Sequence, residues 1–162
     1  MSNTNKMVAD IVEILLQIRE NLLEFETTTM GLLSCGIDEI VEITNKREDI
    51  KKRIEELYNK CDKLCAECGI EKALEAAHMR CTREEISEEI YDIYDNALKN
   101  RSVVSRIRDT DTQAFERIGA QKDELLRKIK SMNTSNESKA AKFASTVDKG
   151  DRMYFPGRKT NI

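Results

Sequence analysis

Residues 60–81 read KCDKLCAECGIEKALEAAHMRC and hold four of the chain's five cysteines and its single histidine. Cys61, Cys65 and Cys68 spell C-x3-C-x2-C, a spacing used by some iron–sulfur enzymes, and His78 and Cys81 follow. Such a set has three uses: an iron–sulfur or zinc site, a thiol redox sensor, or helix core written in cysteine. A metal needs its ligands at one point, with Zn–S near 2.3 Å. On a straight helix Cys61 and Cys68 are a heptad apart, about 10 Å by helix rise, so the three thiolates cannot share one ion unless the helix unwinds. Cys61 and Cys68 are also in line with Leu57 and Leu64, with Cys65 flanking that stripe. Free cysteine there acts as a small hydrophobe, which makes core packing the leading reading and zinc or redox chemistry its rival.

Other chemistry is hard to find. His78 has no serine partner and no nearby carboxylate beyond Glu75, so it reads as a surface or packed side chain. The chain carries no G-x-G-x-x-G, P-loop or H-E-x-x-H pattern, and its acidic pairs fall on helix exteriors. No catalytic residue, metal ligand or cofactor is assigned, and the protein is not expected to be an enzyme.

The elements that position these residues are helices. From Asn5 to Leu33, Met7, Ile11, Ile14, Ile18, Leu22, Phe25 and Leu32 recur at steps of three, four or seven, widened by Val8, Leu15 and Leu33. Gly36 is placed to close this helix and Asp38 to cap the next. The second helix, 39–68, has the stripe Ile43, Ile50, Ile54, Leu57, Cys61, Leu64 and Cys68, with Arg47 in the one missing step. From Ile50 the spacing is 4-3-4-3-4, the seam of helices packed side by side. Glu42/Lys46, Glu48/Lys52, Asp49/Arg53 and Glu56/Lys60 support its outer face, and Gly69 stops it.

A short connecting helix is expected over 71–80. Thr82 with Glu85 then forms a capping-box pattern that predicts a helix start at Arg83. The helix 83–132 has the seam Ile86, Ile90, Ile93, Ala97, Val104, Ile107, Ala114, Ile118, Leu125 and Met132, interrupted by Asn100, Asp111 and Gln121. It would be roughly 75 Å long against roughly 45 Å for the second helix, so it must overhang or bend. Its weakest stretch is 109–113, where Asp and Thr alternate. Residues 133–162 lack the apolar surface to order alone and read as a flexible tail. The fold class is therefore all-α: a long antiparallel three-helix coiled-coil bundle over 5–132, with a short connecting helix and a flexible C-terminal tail.

Thirty-five per cent of residues are charged, 5% are aromatic, and the net charge is −3. That balance argues against nucleic acid as a partner. The N-terminal stretch has no uninterrupted apolar region and no segment approaches a ~20-residue span, so neither a secretion signal nor membrane insertion is expected. Five cysteines, an odd number, fit reduced thiols and a cytoplasmic location.

In order and texture the chain resembles the FlgN-like flagellar type III export chaperones. The likeness is carried by IVEILLQIRENLLEFETTTMGLL, then IDEIVEITNKREDIKKRIEELYNKC, then ELLRKIKSMN, SKAAKFAS and DRMYFPGRK. The resemblance implies a cytoplasmic three-helix protein that binds hook-associated (hook–filament junction) proteins and keeps them unpolymerised for export. Binding would be helix to helix, along an apolar strip of the last helix. Carried to this sequence, the partner-binding residues are Phe115, Ile118, Leu125, Leu126, Ile129 and Met132. Phe143, Val147, Tyr154 and Phe155 come second, for contact by the tail or with the export apparatus. The resemblance implies no catalysis and no cofactor. Two other functions are open: a self-associating coiled coil, with Asn100, Asp111 and Gln121 setting the register of a homodimer, and a thiol-based zinc or redox sensor.

Overall fold

The computed structural model describes residues 2–139, with side chains through residue 134. These residues are helical, with no strand among them. Helix α1 spans Asn3–Met30, α2 Ile37–Glu67, α3 Ala73–Ala77 and α4 Tyr91–Lys139, and single 3-10 turns lie at Gly31–Leu33, Arg83–Glu85 and Glu88–Ile90. The described residues divide into two units, 2–117 and 118–139.

The first unit is built on the stripes read above. Ser2 caps α1, its hydroxyl accepting the Asn5 N–H at 3.2 Å. Ile11, Leu15, Ile18 and Leu22 are buried along one face of α1. They share one core with Cys61, Cys65, Cys68, Ile86, Ile90, Ile93, Val103 and Ile107. Helix α1 ends in a run of threonines, and Thr27 and Thr28 donate back to the Leu23 and Glu24 carbonyls. Such back-bonding weakens a helix end. Gly31 follows, where a Cβ would stand 3.4 Å from Ile43 Cδ1, so the two helices approach closely at their turn. Gly36 proves to be the extended N-cap of α2 and not the end of α1. Asp38 lies one step inside α2 with Glu39, where both carboxylates favour the positive end of the helix.

Side chains fix which residues face each other within this unit. Arg53 of α2 donates to Asn21 and Glu24 of α1, and the Arg47 guanidinium lies 4.7 Å from the Phe25 ring centre, so α2 runs antiparallel to α1. Arg19 and Leu15 of α1 meet Asn96 and Asn100 of α4, Glu26 meets Arg106, and Leu32 meets Arg117, so α4 runs with α1. Of the four acid–base pairs expected on α2, Glu42–Lys46 closes at 3.5 Å. Arg53, in contrast, reaches across to Glu24 at 2.9 Å. Arg117 donates to the carbonyls of Leu32 (2.7 Å) and Cys35 (2.9 Å), satisfying acceptors that the α1–α2 turn leaves open.

The long helix starts later than the capping signal predicts. The Glu85 carboxylate does accept the Thr82 N–H at 2.8 Å, but it closes only one turn, because Ile86 and Ser87 are extended. This detour lets Ile86, from extended backbone, and Ile90, from a 3-10 turn, both drop into the core ahead of α4. Arg83 then folds back on α4, 3.9 Å from the Tyr91 ring centre and 3.2 Å from Asp95, which holds the turn against the first turns of the helix. The connecting helix is also shorter than the expected 71–80, because Lys72 (φ 65°) and Met79 (φ 58°) stand in the left-handed region on either side of it. Through 109–113 α4 is unbroken. Thr110 and Thr112 each donate to the carbonyl four residues back at 3.0 Å, and Asp111 accepts from Arg47, so the polar run is satisfied without leaving the helix.

Candidate functional site

The cysteine stretch becomes the lower half of α2 and its exit. Cys68 caps the helix with its N–H on the Leu64 carbonyl, and Gly69 takes the left-handed conformation (φ 74°) that ends it. Cys61 and Cys68 are buried in the seam, as their spacing predicts. Cys65, read as flanking, is also buried. The reason is α3, whose small residues Ala73, Ala76 and Ala77 join the same core and cover a second side of α2. Cys68 Sγ donates to the Cys65 carbonyl at 3.2 Å. A hydrogen bond with Cys61, followed by burial, pushes the Cys65 thiol far above its ordinary range. Among the described residues no three His, Cys, Asp or Glu side chains gather into a group that could hold a metal ion. Cys81 stands half-buried, with its thiol raised by burial and by Glu85.

His78 has a carboxylate partner that sequence spacing hid. Its Nε2 meets Asp62 of α2, sixteen residues earlier, and its ring stacks on Tyr58 with centres 5.5 Å apart. The left-handed Met79 ends α3 just after His78, which places the imidazole against α2. Tyr58 is itself raised above its ordinary 10.0, first by burial and then by Cys61 and Asp62.

The residues assigned to a partner lie on α4. Phe115, in the first unit, is 66% exposed. In the second unit Leu125 is 45%, Leu126 42% and Met132 64% exposed, while Ile118 and Ile129 are half-buried. At 100° per residue Ile118, Leu125, Ile129 and Met132 form one stripe and Leu126 borders it. The stripe therefore exists as an apolar helix face with several side chains in solvent. Phe143, Val147, Tyr154 and Phe155 lie outside the described residues. No helix among the described residues is long and apolar enough to cross a membrane.

No family model, no curated protein and no solved structure matches this chain.

The polar seam residues are placed differently from the homodimer expectation. Asn100 and Asp111 both face inward within the chain: Asn100 donates to Leu15 O at 3.0 Å and accepts from Arg19 at 2.9 Å, and Asp111 accepts from Arg47 at 2.8 Å. They fix the register of α4 against α1 and α2, whereas the side-chain oxygen of Gln121, the third polar seam position, has no partner among the described residues. Two side chains escaped the sequence reading altogether. Arg19 sits between the stripes yet reaches Asn96 and Asn100, and Thr29 is fully buried at the end of α1. Its position seven residues after Leu22 and four after Phe25 is the signal for the latter.

Proposed function

We propose that this protein is an export chaperone of the FlgN-like kind, a long antiparallel three-helix bundle that binds flagellar hook-associated proteins. It keeps them unpolymerised in the cytoplasm for type III secretion. The observation that carries the reading is the apolar face of α4 over Ile118–Met132, on which Leu125, Leu126 and Met132 are exposed. An amphipathic helix offers such a face to another amphipathic helix through anchors three, four and seven residues apart. The occupant is a terminal helix of the hook-associated protein, the segment that would otherwise drive polymerisation. Covering it requires no catalysis and no cofactor, and residues 143–155 extend the contact toward the partner or the export apparatus.

Each fully covered Leu, Ile or Met side chain contributes on the order of 1.5–3 kcal/mol before ordering costs. Five such residues suffice for a complex in the micromolar range or tighter. Removing residues 119–162 tests the assignment: binding to hook-associated proteins is lost if the strip is the contact, and unchanged affinity contradicts it.

A further inference from the structure

A pocket of about 460 Å³ opens in the first unit where Tyr58 of α2, the end of α3 and one face of α4 meet. Arg101, Ser105 and Arg108 line it from α4, and Tyr58 and His78 from the opposite side, with Val104 as an apolar floor. No carboxylate is among its lining residues. The size is within the range that small ligands fill.

Two arginines on one wall set this pocket apart. Elsewhere in the first unit Arg19, Arg47, Arg53, Arg83, Arg106 and Arg117 each donate to a side-chain or backbone oxygen, and Arg80 is exposed outside the pocket. Among the described residues Arg101 and Arg108 have no such acceptor and no ion pair; they are exposed and stand two turns apart on the pocket's α4 wall. Their separation along the axis is about 10 Å, within which two long side chains fold onto one anion or hold two. The opposite wall is fixed: Asp62 holds the His78 ring through Nε2 and the ring stacks on Tyr58. A concave site with two unpaired guanidiniums, a hydroxyl and an aromatic wall is suited to the planar, bidentate recognition of phosphate oxygens.

We propose that this pocket binds a phosphate-bearing small molecule, with Arg101 and Arg108 on the phosphate, Ser105 as a hydrogen-bonding neighbour, and Tyr58, His78 and Val104 against the organic part. The site draws on nothing in the partner-binding assignment, and the two stand or fall separately.

The test uses the full chain with inorganic phosphate, pyrophosphate and adenosine monophosphate as probes, each against sodium chloride of equal ionic strength. At ten times its Kd a bound probe raises Tm by about 3 °C beyond the chloride control. R101Q/R108Q abolishes that shift, R108Q alone reduces it at least tenfold in Kd, and R80Q, an exposed arginine outside the pocket, leaves it intact. A response to adenosine monophosphate stronger than to inorganic phosphate supports an organic phosphate. A response to inorganic phosphate and pyrophosphate alone contradicts the part given to the aromatic wall. The proposal is overturned if no probe exceeds the chloride control, or if R108Q binds as the parent does.

Discussion

Arg47 donates to the carboxylate of Asp111 at 2.8 Å, joining the one polar step in the α2 seam to a polar step in the α4 seam. Both side chains are mostly buried, and Arg47 also covers the Phe25 ring of α1. Half-buried pairs of this kind are weak sources of net stability and strong sources of register, since breaking one leaves a charge without its partner. D111A is therefore expected to lower stability by about 2 kcal/mol, read as a fall in the urea midpoint. R47M/D111L, which removes both charges, recovers most of that loss. A double variant less stable than D111A contradicts the assignment.

Asn100 and Arg19 form a second polar contact between α1 and α4. Arg19 Nε donates to Asn100 Oδ1 while Asn100 Nδ2 donates to the Leu15 carbonyl. Asn100 is buried, so N100A leaves the Leu15 carbonyl without its side-chain donor and deprives Arg19 of one acceptor. A loss of about 2–3 kcal/mol follows. A double-mutant cycle with R19M should give a coupling energy above about 0.5 kcal/mol, and additive losses would show that the contact carries no energy of its own.

Thr29 is fully buried, and its hydroxyl has no partner among the described residues. Valine has the same shape without the unpaired oxygen. T29V should stabilise the protein by about 1 kcal/mol, since a buried polar group lacking a hydrogen bond costs on that order. A drop in Tm on T29V would mean that the hydroxyl is in fact satisfied.

Stability should also fall on the alkaline side. The folded chain holds the Tyr58 proton more tightly than the unfolded chain does, because burial and the neighbouring Cys61 and Asp62 oppose the phenolate. The contribution is fully present below the ordinary value of 10.0 and is lost as pH rises through the higher folded value. Urea midpoints taken from pH 8 to 11 should decline, and Y58F should decline less steeply. Parallel curves for the two proteins would remove Tyr58 from this account.

The stripes were readable because burial on one helix face leaves a 3.6-residue period whatever the partner. Ile11, Ile18, Ile50, Cys61, Ile93 and Ile107 were all legible on that ground, and the stop at Gly69 needed only local backbone chemistry. What escaped depends on neighbours distant in sequence. Cys65 is buried by α3, whose position follows from the left-handed Lys72 and Met79 and not from any periodicity. The Thr82–Glu85 signal was genuine but local: it closes a turn, and the extended Ile86 and Ser87 decide that α4 begins only at Tyr91. Asn100 and Asp111 looked available to a second copy because a seam position does not say which chain supplies the polar partner. Of the candidate partner strip, the apolar spacing was legible, whereas the exposure of Leu125, Leu126 and Met132 required the structure.

The central claim is that the α4 face over Ile118–Met132 receives a helix of a hook-associated protein. Isothermal titration of the full chain with a purified hook-associated protein, beside L125E/M132E, measures this directly. Both substituted side chains are exposed, so the variant should keep the parent's helical content while its affinity falls at least a hundredfold, as expected from two lost apolar anchors of about 1.5–3 kcal/mol each. Equal affinity of parent and variant, or no heat of binding from the parent at micromolar concentration, would contradict the account.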